Sequence, residues 1–185
     1  VVIDLKAAPV PQDIDTQRGF YINEFIEDAR EPVLIIGGPN RFDALICYYQ
    51  SIKKYSFTQG DLNWEWGYKT KDISNIYKTA FCFDVIEHLF NPGMFLDELK
   101  KPITPDADIY ITFPYRHNVK YWSNTHFQEY DRDRFKTLIE MCGYKIVKEQ
   151  HVILHRPWQF YLGFRPLMRL LFNKYHYNLY LLRLK

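Results

Sequence analysis

The stretch Tyr77 to Leu89, YKTAFCFDVIEHL, limits the folds open to this chain more than any other. It begins with a short apolar run, the pattern of a buried strand, and ends in three ionisable groups, Asp84, Glu87 and His88. Such groups belong where the strand emerges from its sheet, and in open α/β sheets that carboxyl edge is where ligands bind. Next come a helix-capping residue, Asn91, then Pro92 suited to a first helical position, then the apolar stripe Phe95, Leu96 and Leu99. The segment reads as strand, acidic loop, helix.

The rest of the chain arranges itself around that unit. Residues 1–15, rich in Pro and Asp, read as an extended lead-in, and residues 16–185 as a single domain without repeat or linker. From Thr16, Ile22, Phe25, Ile26 and Ala29 fall at helical spacing up to a stop before Pro32. Val33 to Gly38, VLIIGG, is a β-rich run closed by glycines, and Phe42, Leu45, Ile46 and Tyr49 then continue as a helix. Lys54 to Thr58 predicts a second strand, and Ala107 to Phe113 a later one that Pro114 should end. Asp131 caps a helix with the stripe Phe135, Leu138, Ile139 and Cys142, closed by Gly143. Tyr144 to Leu154 is a strand, Trp158 to Phe172 an aromatic helix interrupted at Pro166, and Tyr177 to Leu184 the final strand.

At 185 residues, 47% hydrophobic and 25% charged, the chain can bury a core and is not a disordered protein. A formal charge of +2 gives no reason to expect a nucleic-acid partner. Cys47, Cys82 and Cys142 are odd in number and contain no CxxC pair, so a reducing cytoplasm is expected rather than a disulfide framework. No apolar run reaches the length of a bilayer span, because Arg165 and Arg169 interrupt the most apolar region. That same aromatic and basic segment is a candidate for peripheral membrane contact.

DVIEHLFNPGMFLDEL, then ITFP, then HFQEYDRDRFKTLIEMCGYKI together resemble the class I S-adenosylmethionine-dependent methyltransferases. The likeness is to the small-molecule-type branch that carries an EHL signature, a TP turn, and a histidine before a helix ending in a Gly-aromatic pair. It runs from about Tyr77 to Val147. The resemblance implies an α/β, Rossmann-like methyltransferase fold: a mostly parallel, seven-stranded-type sheet with an antiparallel last strand. The region between the family's second and fourth strands is short here, so an abbreviated element is expected near Tyr68 to Ile73. The first family motif is an acidic residue followed by GxGxG. Aligned on Gly37, this chain has Ile35 at the acidic position and Pro39 and Arg41 at the later glycines, a degenerate version.

The resemblance implies S-adenosylmethionine as cofactor, held by Gly37, Gly38, Asp61 and the strand end Cys82, Phe83 and Asp84. Read from the residues alone, the glycines are either a close approach to a ligand or an ordinary strand-turn-helix corner. Asp61 is either an acceptor for ribose hydroxyls or a turn residue, and Trp64 and Trp66 either flank a flat ring or pack in the core. His126 is the first candidate for a general base and His88 the second, since imidazole titrates near neutral pH.

Asp84, Glu87, His88 and His126 also suit a divalent cation by donor type. If a helical turn began near Asp84, the spacing of three and four would bring Asp84 beside Glu87 and His88. The set is similar to the metal site of the small-RNA 2′-O-methyltransferases, with Asp84 in place of a glutamate. The broader family carries EHL and the later histidine without metal, so no metal is the expectation. Arg116, His117, Lys120, Tyr121 and Trp122 make a basic and aromatic loop, either solvated or shaped for an anionic acceptor. The expected activity is methyl transfer to an oxygen or nitrogen of a small-molecule or glycan-like acceptor. The competing reading, drawn from the degenerate glycine motif, is a noncatalytic module of the same fold.

Overall fold

The computed structural model describes residues 14–37, 41–58, 62–63, 76–115, 122–154 and 175–185. Among them the chain runs α1 (Ile14–Phe25), β1 (Val33–Ile35), α2 (Arg41–Tyr49), β2 (Tyr55–Phe57), β3 (Tyr77–Phe83), a 3-10 turn (Ile86–His88), α3 (Pro92–Leu99), β4 (Ile103–Tyr115), α4 (Arg132–Met141), β5 (Tyr144–Leu154) and β6 (Tyr175–Leu184). The strands form a six-stranded sheet in the order β2-β1-β3-β4-β6-β5. The first four in that order are parallel, and β6 runs antiparallel to both β4 and β5. This is the mostly parallel sheet with an antiparallel last strand that the family resemblance implies. The described residues supply six strands rather than seven, and the region expected to hold the abbreviated element lies outside them, as do Trp64, Trp66 and the expected helix over 158–172.

Period-two alternation divides the core between the two faces of the sheet. Leu34, Ala80, Cys82, Ile109, Ile111 and Phe113 point to one face and meet Phe95, Leu96 and Leu99 of α3 and Phe135 and Ile139 of α4. Val33, Ile35, Phe81, Phe83 and Tyr110 point to the other and meet Ile22 and Phe25 of α1 and Ile46 and Cys47 of α2. The helix boundaries follow local chemistry. Asn91 accepts from the Met94 amide at 3.1 Å with Pro92 behind it, and Asp131 accepts from the Arg134 amide at 2.9 Å. Gly143 ends α4 with φ +79°, a conformation that favours glycine.

Helix α1 and strand β4 differ from expectation at both ends. Helix α1 starts at Ile14, inside the expected lead-in, and stops at Phe25, where the Lys148 ammonium (3.2 Å) satisfies the Phe25 carbonyl and the Gln50 amide reaches that of Ile26. Strand β4 begins at Ile103 because a register shift opposite Tyr77 and Thr79 accommodates Pro105. It also continues through Pro114. The carbonyl of Thr112 accepts from the Asp84 amide, so alternate residues of β4 face β3, and β3 has ended by the level of Pro114. A missing N–H on that side removes no ladder bond.

Phe135 is fully buried and its ring touches Phe113, Tyr130 and Tyr180, at centroid distances of 4.6, 6.0 and 4.5 Å. Phe135→Ala should therefore cost about 3–5 kcal/mol in urea denaturation followed by circular dichroism, whereas Asp131→Ala should cost about 1 kcal/mol. Comparable losses for the two would show that the aromatic cluster does not anchor α4.

Candidate functional site

The chain passes from β1 to β2 on one side of β1 and then returns to place β3 on the other, so the carboxyl ends of β1 and β3 form the switch point of the sheet. Gly37 lies on the β1 side with φ +96°, and a Cβ there would stand 3.3 Å from the Val85 side chain. Its amide donates to the Thr58 hydroxyl at 2.9 Å, which ties the end of β1 to the end of β2. Across from it, β3 ends at Asp84, a non-glycine residue with φ +55°.

That positive φ decides where the first acid of the DxxEH motif goes. Continued alternation would have carried Asp84 to the face of Ala80 and Cys82. The left-handed turn sends its carboxylate instead toward Thr112, whose hydroxyl donates at 3.4 Å, and toward Arg18 of α1, whose guanidinium lies 3.3 Å away. The expected helical turn from Asp84 is thus corrected: the turn begins at Ile86, and the cluster of ligand atoms that Glu87, His88 and His126 form does not include Asp84.

Arg18 is enclosed. Its Nη2 donates to the Tyr175 hydroxyl, and its guanidinium lies over the rings of Tyr175 and Tyr177 at 5.4 and 5.2 Å. Burial alone would lower its pKa, and Asp84, Tyr177, Tyr175 and Asp15 together raise it. Burial raises the Asp84 carboxyl, and Arg18 and hydrogen bonds from Tyr177 and Thr112 oppose that rise only in part.

The opposite side of the same edge carries the histidines. Glu87 and His88 sit on the 3-10 turn, and the Glu87 carbonyl accepts from the amides of Phe127 and Gln128 at 2.9 and 3.3 Å, which docks the His126 loop onto the turn. The rings of His88 and His126 lie 4.8 Å apart, edge to face. Each commits its Nδ1: His88 donates to the Thr125 carbonyl at 2.8 Å, and His126 to the Glu129 carboxylate at 2.8 Å. Acceptors at both Nδ1 positions place the ring proton there and leave a lone pair on each Nε2. Asn63 braces the turn, donating to the His88 carbonyl at 3.1 Å and accepting from the Phe90 amide at 2.8 Å.

Glu87, His88 and His126 offer ligand atoms within 4.8 Å of one another. Glu87 is 1% exposed, and its Oε2 has no hydrogen-bond partner among the described residues. Burial, followed by repulsion from Asp84, raises its carboxyl well above the usual range.

The structure therefore brings His88 and His126 together with Glu87, and sets Gly37 and Asp84 at the switch point. Cys82 and Phe83 reach that edge only through their backbone, since both side chains are buried in the two cores, and burial raises the Cys82 thiol well above its ordinary value. Gly38, Asp61 and residues 116–121 lie outside the described residues. Sequence reasoning missed Arg18, Thr58 and Glu129. Glu129 had a signal, its spacing of three from His126 in HFQE. The contacts of Arg18 with Asp84 and Tyr175 had none, because those partners lie 66 or more residues away along the chain.

No family model matches this sequence, and no curated protein is significantly similar to it. Solved structures are similar in fold. A SAM-dependent methyltransferase from Archaeoglobus fulgidus superposes with a TM-score of 0.59 at 14% identity, covering 89% of this chain and 90% of that one. The 1,6-didemethyltoxoflavin-N1-methyltransferase of Burkholderia thailandensis, with S-adenosylhomocysteine and its substrate bound, gives 0.58 at 11% identity, covering 90% and 76%. The [4+2]-cyclase SpnF gives 0.60 at 9% identity, covering 90% and 79%. At such identities the likeness establishes the fold: an α/β, Rossmann-like methyltransferase fold.

The raised Glu87 carboxyl has a consequence for stability. A carboxyl whose folded-state pKa lies above its unfolded value, roughly 4.3, holds its proton more tightly when folded. The stabilisation is complete below the unfolded value and is lost as pH rises through the folded one. Glu87→Gln keeps a neutral isostere, so in metal-free buffer the wild type should lose stability relative to this variant as pH rises from about 4 to 8. A difference in melting temperature that does not change with pH would show that Glu87 titrates as an ordinary carboxyl.

Proposed function

We propose that this chain transfers a methyl group from S-adenosylmethionine to an oxygen or nitrogen of a small-molecule or glycan-like acceptor. The observation that carries the reading is the coincidence, at one sheet edge, of a switch-point crevice and two imidazoles with free Nε2 lone pairs. The crevice fits the cofactor in kind. Gly37 has no side chain to block an approach, its backbone is turned by the Thr58 contact, and the facing Asp84 and Arg18 supply one charge of each sign. Gly37, Gly38 and the backbone of Cys82 to Asp84 would line it, with Asp61 accepting from the ribose hydroxyls. When bound, the cofactor supplies an electrophilic methyl on sulfur and leaves as the neutral thioether.

The chain's own work is then placement and proton removal. His126 takes the acceptor proton on Nε2, and Glu129, already bonded to Nδ1, stabilises the imidazolium that results. His88 stands 4.8 Å away as the second base. The basic loop over 116–121 is a candidate for an anionic group on the acceptor. The three cysteines are free, in keeping with a cytoplasmic setting, and no helix among the described residues is long and apolar enough to cross a membrane.

A second reading rests on the unpartnered, buried Oε2 of Glu87. With both Nε2 atoms free, Glu87, His88 and His126 have the donor set of a divalent cation, which would activate the acceptor in place of His126. Its candidate site omits Asp84.

S-adenosylhomocysteine at about a hundred times its dissociation constant should add roughly 2.7 kcal/mol, which raises the melting temperature by about 5 to 10 °C. An unchanged melting curve up to millimolar ligand, confirmed by calorimetry, would shift the choice to a noncatalytic module. With an acceptor in hand, activity should survive EDTA, and His126→Ala should lower turnover by about a hundred- to ten-thousandfold. Activity abolished by EDTA and restored by one metal ion per chain would select the cation instead.

A further inference from the structure

We propose that Phe90 and Phe127 form an aryl-binding wall beside the histidine pair, and that the acceptor is a phenol-type molecule whose ring lies on theirs while its hydroxyl faces His126. The proposal rests on the methyltransferase reading for the reaction and for the base. The wall itself follows from where two exposed rings are held.

Large apolar side chains exposed one at a time are ordinary on a protein surface. Tyr48, Tyr55, Met141 and Val147 are of that kind, each on a different element. Phe90 and Phe127 are 48% and 51% exposed, but they meet, with ring centroids 4.3 Å apart and planes at 66°. The Phe127 amide donates to the Glu87 carbonyl at 2.9 Å. The Phe90 amide donates to the Asn63 side chain, which in turn donates to the His88 carbonyl. The bonds that dock the histidine loop onto the 3-10 turn therefore also fix the two phenylalanines. Phe127 follows His126 directly and Phe90 stands two residues after His88, so the phenyl pair and the imidazole pair are built from the same two loops.

The size of the surface selects its occupant. Two half-exposed phenylalanines offer roughly 200 Å² of apolar area. A stable protein partner needs about 800 Å² on each side, so this wall suits a small molecule of one or two rings. A third ring can join the pair in the offset or edge-to-face contacts that aromatic quadrupoles favour.

The reaction asks for the same acceptor. A phenol loses its proton near pH 10, whereas an alkyl hydroxyl lies close to water, at about 15.7. An aryl group covered by Phe90 and Phe127 thus also lowers the cost of the proton transfer that a metal-free site must make. The hydroxyl proton goes to His126 Nε2, the oxygen forms a bond to the methyl carbon, and the carbon–sulfur bond breaks to leave the neutral thioether. The positive charge of the sulfonium ends on the imidazolium beside Glu129.

The test uses the full chain saturated with S-adenosylhomocysteine and 2-naphthol as the probe, with binding read by calorimetry. The wild type should bind 2-naphthol and not methyl β-glucopyranoside, which offers hydroxyls without an aromatic ring. Phe127→Ala and Phe90→Ala should each weaken 2-naphthol by about five- to fiftyfold, and Phe127→Leu, which keeps apolar area and loses the ring, by less. S-adenosylhomocysteine affinity should be unchanged in all three, which also shows that they fold. Met141→Ala, an exposed side chain on α4, should alter neither ligand. With S-adenosylmethionine in place of the product, 2-naphthol should be converted to its methyl ether. The proposal is overturned by a glucoside that binds as well as 2-naphthol, by 2-naphthol binding that survives both alanine substitutions, by variants that lose both ligands alike, or by 2-naphthol that binds without being methylated. A wild type that binds S-adenosylhomocysteine but not 2-naphthol overturns the aryl wall and leaves the methyltransferase reading standing. One that does not bind S-adenosylhomocysteine overturns both.

Discussion

From Thr79 onward, strand β3 has neither face in water: Ala80 and Cys82 pack with α3 and α4, and Phe81 and Phe83 with α1 and α2. Its backbone groups are taken up by β1 on one side and β4 on the other. A chain buried in this way can admit an ionisable residue only where the sheet ends, because an unpaired charge inside it costs several kcal/mol. The positions of Asp84, Glu87 and His88 follow from that restriction. So does the crevice, since the same strand flanks β1 at the point where the sheet order reverses.

The reversal of backbone handedness at Asp84 divides the edge into two chemically different halves. On the side of α1 and α2, Asp84 meets a guanidinium enclosed by two tyrosine rings. On the side of α3 and α4, two carboxyls, Glu87 and Glu129, lie nearly sealed beside two imidazoles.

Some of this was legible in the residues and some was not, for reasons that concern range. Asn91 and Asp131 were readable as caps because a cap is a contact across three residues. The division of β3 between two cores was readable in the apolar run Ala80 to Phe83. His88 and His126 were readable as partners because a parallel sheet returns successive loops to one edge. Asp84 was misplaced because the spacing of DxxEH says nothing about the sign of one φ angle. Pro114 was read as a stop, although in this register its missing N–H faces the side where β3 has already ended. The pairing of Arg18 with Asp84 carried no signal at all.

By itself, then, the sequence determined quantities that depend on neighbours along the chain: the apolar runs that become strands, the caps that start α3 and α4, and which loop carries the ionisable groups. These follow from period, capping and turn chemistry, each acting over a few residues. The tertiary structure alone decided which charges meet. The pairing of Arg18 with Asp84 spans the chain from its first described helix to the end of its third strand, and Tyr175 and Tyr177 arrive from the last strand. Such contacts exist only once the sheet has assembled, because the register of β6 against β4 brings Tyr177 level with Pro114 and its hydroxyl to within 2.7 Å of Thr112. The physical reason is that electrostatic partners are chosen by distance in space, and distance in space is set by the sheet.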